Sequence, residues 1–332
     1  MNLFRLLTLC CSLTVSAAYS NTVSQTIGDF TQISKADGWI SETIDSLQCE
    51  AEAEASPSSG ILKDIPGIIY RSHRYSALEV ERSKPSVKEY RVRRNIESCV
   101  SVNPDIIQRY FDNDQVNSAI SGPILDKLAI TDVEVHDLLR AAWTKLSEDP
   151  ILNQVFILKV DIFRVAIVWL YGGWWLDADV VCLDSIQDSF NTGSIETEFH
   201  EAVERWVVST DLAESNHATS IQCVWAWEGE VPAHVEIASS SPLNWAFGCR
   251  KGHHFLLHIL KQTALRILQW KEETVSPTIR PFCATVLLQS RTVFVDVLHL
   301  TGPALVEHAL AQFAFGNETV SLIQVWVVRQ RF

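Results

Sequence analysis

Two aspartates, Asp177 and Asp179, interrupt a short stretch rich in aromatic and β-branched residues that runs from Trp174 to Leu183. Such a stretch is typical of a strand buried in a sheet. Residues two apart on a strand point to the same face, so we expect both carboxylates to converge on one point beside the sheet. Two charges in an apolar wall need a cation or hydrogen-bond donors to compensate them. The pattern predicts a site for Mn²⁺ or Mg²⁺, because oxygen ligands favour these ions over zinc.

A second polar pair, Asp161 and Arg164, lies directly upstream. Residues 160–171 are otherwise apolar, a run of helix-forming length that ends at Gly172 and Gly173, the residue type best suited to a helix C-cap. Positions i and i+3 share a helix face, so one acceptor and one guanidinium fork project together. The sequence therefore predicts a unit of helix, turn and strand with four polar groups at the carboxyl side of the strand.

Two aspartates in an Asp-x-Asp arrangement are weak evidence for a site by themselves, because about one such arrangement is expected by chance in a chain of this length. The combination of the aspartates with the helix and turn before them is more specific. A second Asp-x-Asp, Asp112-Asn113-Asp114, is interpreted as the end of another strand. Asp-x-x-Arg, an apolar helix, Tyr-Gly-Gly, an aromatic pair and Asp-x-Asp together resemble the sugar-binding region of glycosyltransferase family 32. The resemblance implies that Asp179 binds the metal, that Asp177 contacts the metal or the ribose and sugar, and that Asp161 with Arg164 holds the sugar hydroxyls.

Two other segments extend the resemblance. Residues 65–73 suit a first parallel strand, and Tyr70 and His73 stand where the family tends to have His and Trp near the nucleotide base. Tyr70 is therefore implied as a substrate contact, with an ordinary strand-end role as the alternative. The implied substrate-binding set also includes Gly173 and the family's Thr-Gly-Pro element, which here is Thr301, Gly302 and Pro303.

One feature departs from the family pattern. Family members continue beyond Thr-Gly-Pro to a late His that completes the metal and diphosphate site, whereas this sequence has no His after His308. The expectation is weaker binding of metal and nucleotide sugar than in the relatives.

The chain divides into three predicted parts. Residues 1–18 form a secretory signal peptide or a short membrane anchor, since the apolar run of about 13 residues is shorter than the roughly 20 that span a bilayer. Residues 19–60 are a polar stem or linker. Residues 61–332 form one α/β domain with a mainly parallel, Rossmann-like sheet, which the resemblance assigns to the glycosyltransferase A type. A Golgi lumenal or membrane location is expected, with secretion as the alternative.

The composition of the chain bears on nucleic-acid binding, disulfide bonding and glycosylation. The net charge of −13, from 27 basic and 40 acidic residues, gives no sign of a nucleic-acid partner. Outside the signal, six of the eight cysteines remain, and their pairing stays open. Cys182 is interpreted as a buried free thiol. The tripeptide Asn317-Glu318-Thr319 is a weakly informative glycosylation sequon.

Other elements are predicted from local pattern. An amphipathic helix begins at Thr131 or Asp132 as N-cap and runs to Leu146. A second helix covers residues 252–270. Three tryptophans between the strand and this helix are interpreted as core, with a sugar-stacking acceptor wall as the alternative. They are Trp225, Trp227 and Trp245.

The chemistry follows from the carboxylate cluster. A nucleotide-diphosphate sugar reacts when its phosphate leaves, and a carboxylate-bound cation neutralises the charge that develops there. The resemblance implies retaining transfer of a hexose, with mannose favoured, from GDP-mannose or a UDP-hexose to a glycan or glycolipid. One alternative is a lumenal protein that keeps the fold but is catalytically impaired. The other is a phosphatase with an aspartyl-phosphate nucleophile, which would need a downstream Gly-Asp-x-x-x-Asp element that the sequence lacks.

Overall fold

The computed structural model describes residues 64–186, 223–228, 241–272, 285–288 and 291–316. All of them lie in one compact unit, Trp39–Phe332. The predicted signal, the stem and the Asn317 sequon fall outside these residues. Within the described ranges, no helix is long and apolar enough to cross a membrane.

Strands and helices are interspersed along the part of the chain that the structure describes. The first half contains β1 (Ile68–Ser72), α1 (Ala77–Glu81), α2 (Glu89–Val102), β2 (Ile107–Phe111), α3 (Asn113–Ala119), a π-helical turn (Ile120–Ile124), α4 (Leu125–Thr131), α5 (Val133–Glu148) and a 3₁₀ turn (Leu152–Gln154). The second half contains α6 (Ile157–Tyr171), β3 (Gly173–Leu176), β4 (Cys223–Glu228), β5 (Ser241–Cys249), α7 (His254–Gln269), β6 (Thr285–Leu288), β7 (Arg291–Phe294), α8 (Val297–Leu300) and α9 (Pro303–Gly316).

Five strands form the main sheet in the order β2-β1-β3-β5-β4. β1 pairs in parallel with β2 and β3, whereas β5 is antiparallel to both β3 and β4. Four of the five strands therefore run in one direction and β5 runs against them. β6 and β7 form a separate antiparallel pair. The predicted α/β class with a mainly parallel sheet is confirmed.

Helix α6 is the central helix of the core. It packs against the sheet and against α7, and nearly all of its residues are buried, as expected for a helix that is apolar on every side. Phe163 meets Phe111 and Trp175 edge-on, with ring centroids 5.0 and 5.9 Å apart. The burial of this helix brings its three charged residues, Lys159, Asp161 and Arg164, into the interior.

Gly172 and Gly173 make the sharp reversal from α6 into β3. Their φ angles are +73° and +103°, in the region that side chains with a Cβ rarely adopt. A Cβ on Gly172 would lie 2.7 Å from the backbone N of Lys251, and one on Gly173 would lie 2.7 Å from the carbonyl O of Ile68. The predicted helix stop at Gly172 is confirmed, and so is Asp132 as the N-cap of α5.

Two disulfides cross-link the described residues. Cys99 on α2 bonds to Cys182, and Cys223 on β4 bonds to Cys249 on β5. The interpretation of Cys182 as a free thiol is wrong. The chain leaves the sheet after Leu176 and then runs beside α2, where Cys182 meets Cys99. The local sequence pattern does not reveal this contact between distant residues.

Candidate active site

The Asp-x-Asp segment is a turn and not part of a strand. β3 ends at Leu176, so the predicted strand to Leu183 is too long. Asp177 and Asp179 therefore do not project from one face of a strand, as the sequence pattern predicted. The backbone N of Val180 donates to the carbonyl O of Asp177 at 3.0 Å. The guanidinium of Arg71 donates hydrogen bonds to the carbonyl oxygens of Asp177 and Val180, at 2.9 and 3.1 Å. Those oxygens face a buried cation instead of a neighbouring strand, which ends the ladder.

The two carboxylates have different surroundings. The Asp177 side chain is 29% exposed, and its Oδ1 accepts a hydrogen bond from Trp175 Nε1 at 2.7 Å and lies 3.4 Å from Arg164 Nη1. Asp179 is exposed. Burial raises the pKa of Asp177, Arg164 and the Trp175 bond act against that rise, and the nearby charge of Asp179 adds to it. The carboxylate of Asp177 is therefore held in place by its neighbours. The carboxylate of Asp179 faces solvent and lies close enough for its charge to act on Asp177.

Asp161 and Arg164 form a buried ion pair on one face of α6. Arg164 Nη2 and Asp161 Oδ1 are 2.9 Å apart, and each side chain is 2% exposed. Asn244 on β5 joins them, because its carbonyl accepts from Arg164 at 2.5 Å and its side-chain amide donates to Asp161 at 3.2 Å. The sequence pattern gave no signal for Asn244, since it belongs to no motif. The ion pair is therefore held by backbone and side-chain groups of strand β5 and not by solvent.

The Thr-Gly-Pro element reaches the same cluster. Thr301 Oγ1 donates to Asp161 Oδ2 at 2.5 Å, a buried contact between residues 140 apart in sequence. Gly302 makes the tight turn into α9, where a Cβ would lie 3.0 Å from the Cα of Leu298. Burial raises the pKa of Asp161 to about 6, although Arg164 and Thr301 pull it down. Asp161, Arg164, Asp177 and Thr301 thus form one connected network.

Tyr70 and Gly173 are not exposed to a ligand. Tyr70 is 0% exposed and belongs to the main hydrophobic core, while a Cβ on Gly173 would lie 3.1 Å from the Tyr70 ring. A base-stacking role would need an open ring face, so this placement corrects the substrate role implied for Tyr70. The physical reason is strand alternation: Tyr70 falls on the face of β1 covered by α6, and Arg71 falls on the opposite face.

His73 and Tyr75 form an aromatic surface at the carboxyl end of β1. Both are half-buried, and their ring centroids are 4.6 Å apart. Burial and the charge of Arg74 lower the pKa of His73, and the charges of Asp179 and Glu89 oppose that lowering. Ligands in such sheets bind beyond the carboxyl ends of the strands. The sequence indicated His73, whereas Tyr75 follows the strand in a loop and was missed.

The tryptophans after β3 divide between core and edge. Trp225 is buried and stacks on Phe247, with ring centroids 4.1 Å apart, as the core interpretation expects. Trp245 is half-buried, and its carbonyl accepts the backbone N–H of Asp177 at 2.9 Å. The side chain of Trp227 lies outside the described residues.

The carboxylates of the turn suit a cation that shares its ligands with a substrate. In the part of the chain that the structure describes, no cluster of three or more His, Cys, Asp or Glu could hold a metal alone. Asp179 and Oδ2 of Asp177 supply hard oxygen ligands. Mg²⁺ is usually bound by one or two carboxylates together with substrate phosphates. The donor set therefore fits a divalent cation that arrives with a diphosphate.

Comparison with known proteins agrees with this chemistry. Residues 89–199 match the family described as "Glycosyltransferase sugar-binding region containing DXD motif", a range that contains Asp161, Arg164, Asp177 and Asp179. The predicted resemblance is confirmed at that level, and the match supports a transferase enzyme. No curated protein matches the chain. Among solved structures, the "PaToxG Glycosyltransferase" is similar over 81% of this chain and 75% of its own, with 10% identity and a TM-score of 0.36.

Proposed function

We propose that the protein is a metal-dependent glycosyltransferase that moves a hexose, with mannose favoured, from a nucleotide-diphosphate sugar to a glycan or glycolipid. One observation carries the proposal. The network of Asp161, Arg164, Asp177 and Thr301 assembles beside the exposed Asp179. All of these residues except Thr301 lie within residues 89–199, the range that matches DXD glycosyltransferases. Buried charged groups that pair with one another beside an exposed carboxylate are candidates for a functional site.

The two aspartates of the turn are assigned to the cation. Asp179 and Oδ2 of Asp177 would hold Mn²⁺ or Mg²⁺ together with the diphosphate of the donor. When bound, the cation neutralises the charge that develops on the leaving diphosphate. The bond from Trp175 Nε1 and the approach of Arg164 to Oδ1 keep Asp177 in one orientation, so little ordering is needed when the donor binds.

The family resemblance assigns Arg164 and Asp161 to the sugar hydroxyls, but both side chains are only 2% exposed. We therefore assign them a positioning role, in which Arg164 holds Asp177 from a distance of 3.4 Å. Its Nη1 and Nη2 bind Asn244 and Asp161, and its Nε has no hydrogen-bond partner among the described residues. A planar guanidinium fixed in this way provides directed donors that a lysine cannot copy. Thr301 contributes indirectly, because it holds the carboxylate that orients Arg164.

The cellular setting of the proposal follows from the N-terminal sequence. Residues 1–18 have the charge and apolar run of a secretory signal or short anchor. We therefore place the activity in the lumen of the secretory pathway, with the Golgi favoured. The glycosyltransferase A type of the sheet and retention of the anomeric configuration are taken from the family resemblance.

A donor screen tests the proposal. The full chain, purified from the secretory pathway of a eukaryotic host, is incubated with GDP-mannose and a panel of UDP-hexoses, with Mn²⁺ or with EDTA. We expect nucleotide release from one donor class, with water as the acceptor of the hexose, and EDTA should abolish this release. Proton NMR recorded before mutarotation should show the released hexose in the anomeric configuration of the donor. No release from any donor would contradict the proposal and favour an impaired protein. Hydrolysis of p-nitrophenyl phosphate in place of sugar release would favour the phosphatase class.

A further inference from the structure

Arg71 lies under the turn that carries Asp177 and Asp179. It is 1% exposed and extends from β1. Its Nη1 donates to the carbonyls of Asp177 and Val180 at 2.9 and 3.1 Å, and its Nη2 contacts Sγ of Cys99. Burial lowers the pKa of Arg71 to about 10, and the charges of Asp177 and Asp179 act against that lowering. A buried cation thus binds the backbone of the turn that carries the two carboxylates.

Helix α2 holds the same segment at three levels, one helical turn apart. Asn95 donates its side-chain amide to the carbonyl of Ala178 at 3.1 Å. One turn later, Cys99 bonds covalently to Cys182. At the end of the helix, Asn103 accepts the backbone N–H of Ile186 at 2.7 Å. Positions i, i+4 and i+8 share one helix face, so a single face of α2 follows the chain from the Asp-x-Asp turn onwards.

We propose that Arg71 and the Cys99–Cys182 disulfide are positioning elements that fix the turn carrying Asp177 and Asp179 and thereby set its affinity for a divalent cation with a nucleotide diphosphate. Neither element touches the substrate. The inference rests on the proposed function for its ligand. Such anchoring is needed because the strand ends at Leu176, and among the described residues the bond from Asp177 N–H to the Trp245 carbonyl is the last backbone bond between this segment and β5. Two carboxylates bind a cation tightly only when their geometry is held.

The second disulfide provides a matched control. Cys223 and Cys249 face each other on the paired strands β4 and β5, which ladder hydrogen bonds already hold together. Removal of the Cys223–Cys249 disulfide also eliminates one cross-link, but this disulfide is not attached to the segment that carries Asp177 and Asp179. A general loss of stability would follow from either removal, whereas a loss of turn geometry would follow only from removal of Cys99–Cys182.

The test compares four variants of the full chain: Cys99→Ser with Cys182→Ser, Cys223→Ser with Cys249→Ser, Arg71→Met, and Arg71→Lys. Calorimetry measures binding of GDP and UDP in the presence of Mn²⁺, and hydrogen exchange measures protection of residues 177–186. We expect the first and third variants to raise the Kd about 10- to 100-fold, the usual effect of removing a partner that orients metal ligands, and to exchange faster in that segment. Arg71→Lys should recover part of the affinity, and the control variant should leave both readouts near the wild-type values.

The outcomes separate this inference from the proposed function. If the first and third variants keep the wild-type exchange in residues 177–186, the positioning role is wrong, whatever the protein binds. If the wild type binds neither nucleotide with Mn²⁺, the proposed function and the affinity part of the inference fail together, while exchange still decides whether the turn is anchored.

A reduction experiment covers failure of the serine variant to fold. In the folded Cys223→Ser, Cys249→Ser protein, dithiothreitol reduces Cys99–Cys182 to two thiols and is itself oxidised to its cyclic disulfide. Faster exchange in residues 177–186 and weaker nucleotide binding on reduction are expected. Unchanged exchange after complete reduction, verified by thiol alkylation and mass spectrometry, would overturn the role of the disulfide.

Discussion

Thr301 donates a hydrogen bond to Asp161 across 140 residues of chain, at 2.5 Å and in a buried position. Asp161 in turn pairs with Arg164, and Arg164 lies 3.4 Å from Asp177. A residue that precedes α9 is thereby connected with the turn that follows β3. The segment after α8 is thus linked to the Asp-x-Asp turn through the carboxylate of Asp161.

Replacement of Thr301 tests this link. Thr301→Val keeps the shape of the side chain but leaves an oxygen of a buried carboxylate without its donor, so we expect a loss of about 1.5–3 kcal/mol in the free energy of unfolding. Urea denaturation monitored by tryptophan fluorescence measures it. Thr301→Ser keeps the hydroxyl and should stay within about 1 kcal/mol of the wild type. Equal losses in the two variants would show that the methyl group, and not the hydrogen bond, holds Thr301.

Arg164→Lys tests the role of the guanidinium fork. A lysine ammonium cannot bind Asp161 and Asn244 in the same geometry while also facing Asp177, so we expect a higher donor KM and a lower kcat. Steady-state kinetics with the preferred donor measure both. Arg140→Lys is the control, because Arg140 lies at the surface, where its side chain is 64% exposed. Unchanged kinetics in Arg164→Lys would reduce Arg164 to a structural partner of Asp161.

The raised pKa of Asp161 predicts a specific dependence of stability on pH. Its folded pKa of about 6 lies above the ordinary value of 3.8, so the folded state binds the proton more tightly than the unfolded state. The resulting stabilisation is full below about pH 4 and is lost as pH rises through about 6. At about 1.4 kcal/mol per pKa unit, the unfolding free energy of the wild type relative to Asp161→Asn should fall by up to about 3 kcal/mol between pH 4 and 7.

Denaturation curves of both proteins, taken at intervals over that range, measure the difference. A difference that grows with pH would mean that Arg164 and Thr301 outweigh burial and lower the pKa of Asp161 below its ordinary value. Asp137→Asn is a surface control, since Asp137 is a largely exposed carboxylate.

Gly172 and Gly252 form a matched pair for the turn into β3. Their φ angles are +73° and +70°, but a Cβ on Gly172 would lie 2.7 Å from Lys251 N, whereas one on Gly252 would meet nothing within 4 Å. Gly252→Ala should cost about 1–2 kcal/mol from backbone conformation alone. Gly172→Ala should cost roughly 1–3 kcal/mol more, because atoms are forced into a filled space. Equal losses in urea denaturation would show that the close approach of Lys251 relaxes freely.

Much of the fold could be predicted because it depends on local pattern. An apolar run that ends at two glycines predicts α6, and the side chain of Asp132 caps α5. The β-branched run at Ile68 forms the parallel strand β1. The i, i+3 spacing of Asp161 and Arg164 placed both groups on one face of α6, where the structure has them paired. Helix caps and periodicity act over a few residues, so the sequence displays them directly.

The rest of the site depends on contacts between distant residues. Val180 and Val181 have high strand propensity, yet the chain turns there because Arg71 binds the carbonyls of Asp177 and Val180; tertiary contacts override propensity in this way. Asn244 and the partner of Cys182 carry no signal in the sequence for the same reason. Tyr70 was assigned to the wrong environment because the resemblance fixes its position on a strand but not the face that α6 covers.

The dependence of donor turnover on Mn²⁺ in the wild type and in Asp179→Asn tests the central claim most directly. The substitution removes ligand charge from an exposed side chain without a change of volume, so the fold and the thermal midpoint should stay as in the wild type. We predict that the wild type releases nucleotide from its donor with a saturable requirement for Mn²⁺, and that Asp179→Asn loses this activity. Turnover and Mn²⁺ dependence equal to those of the wild type would contradict the account.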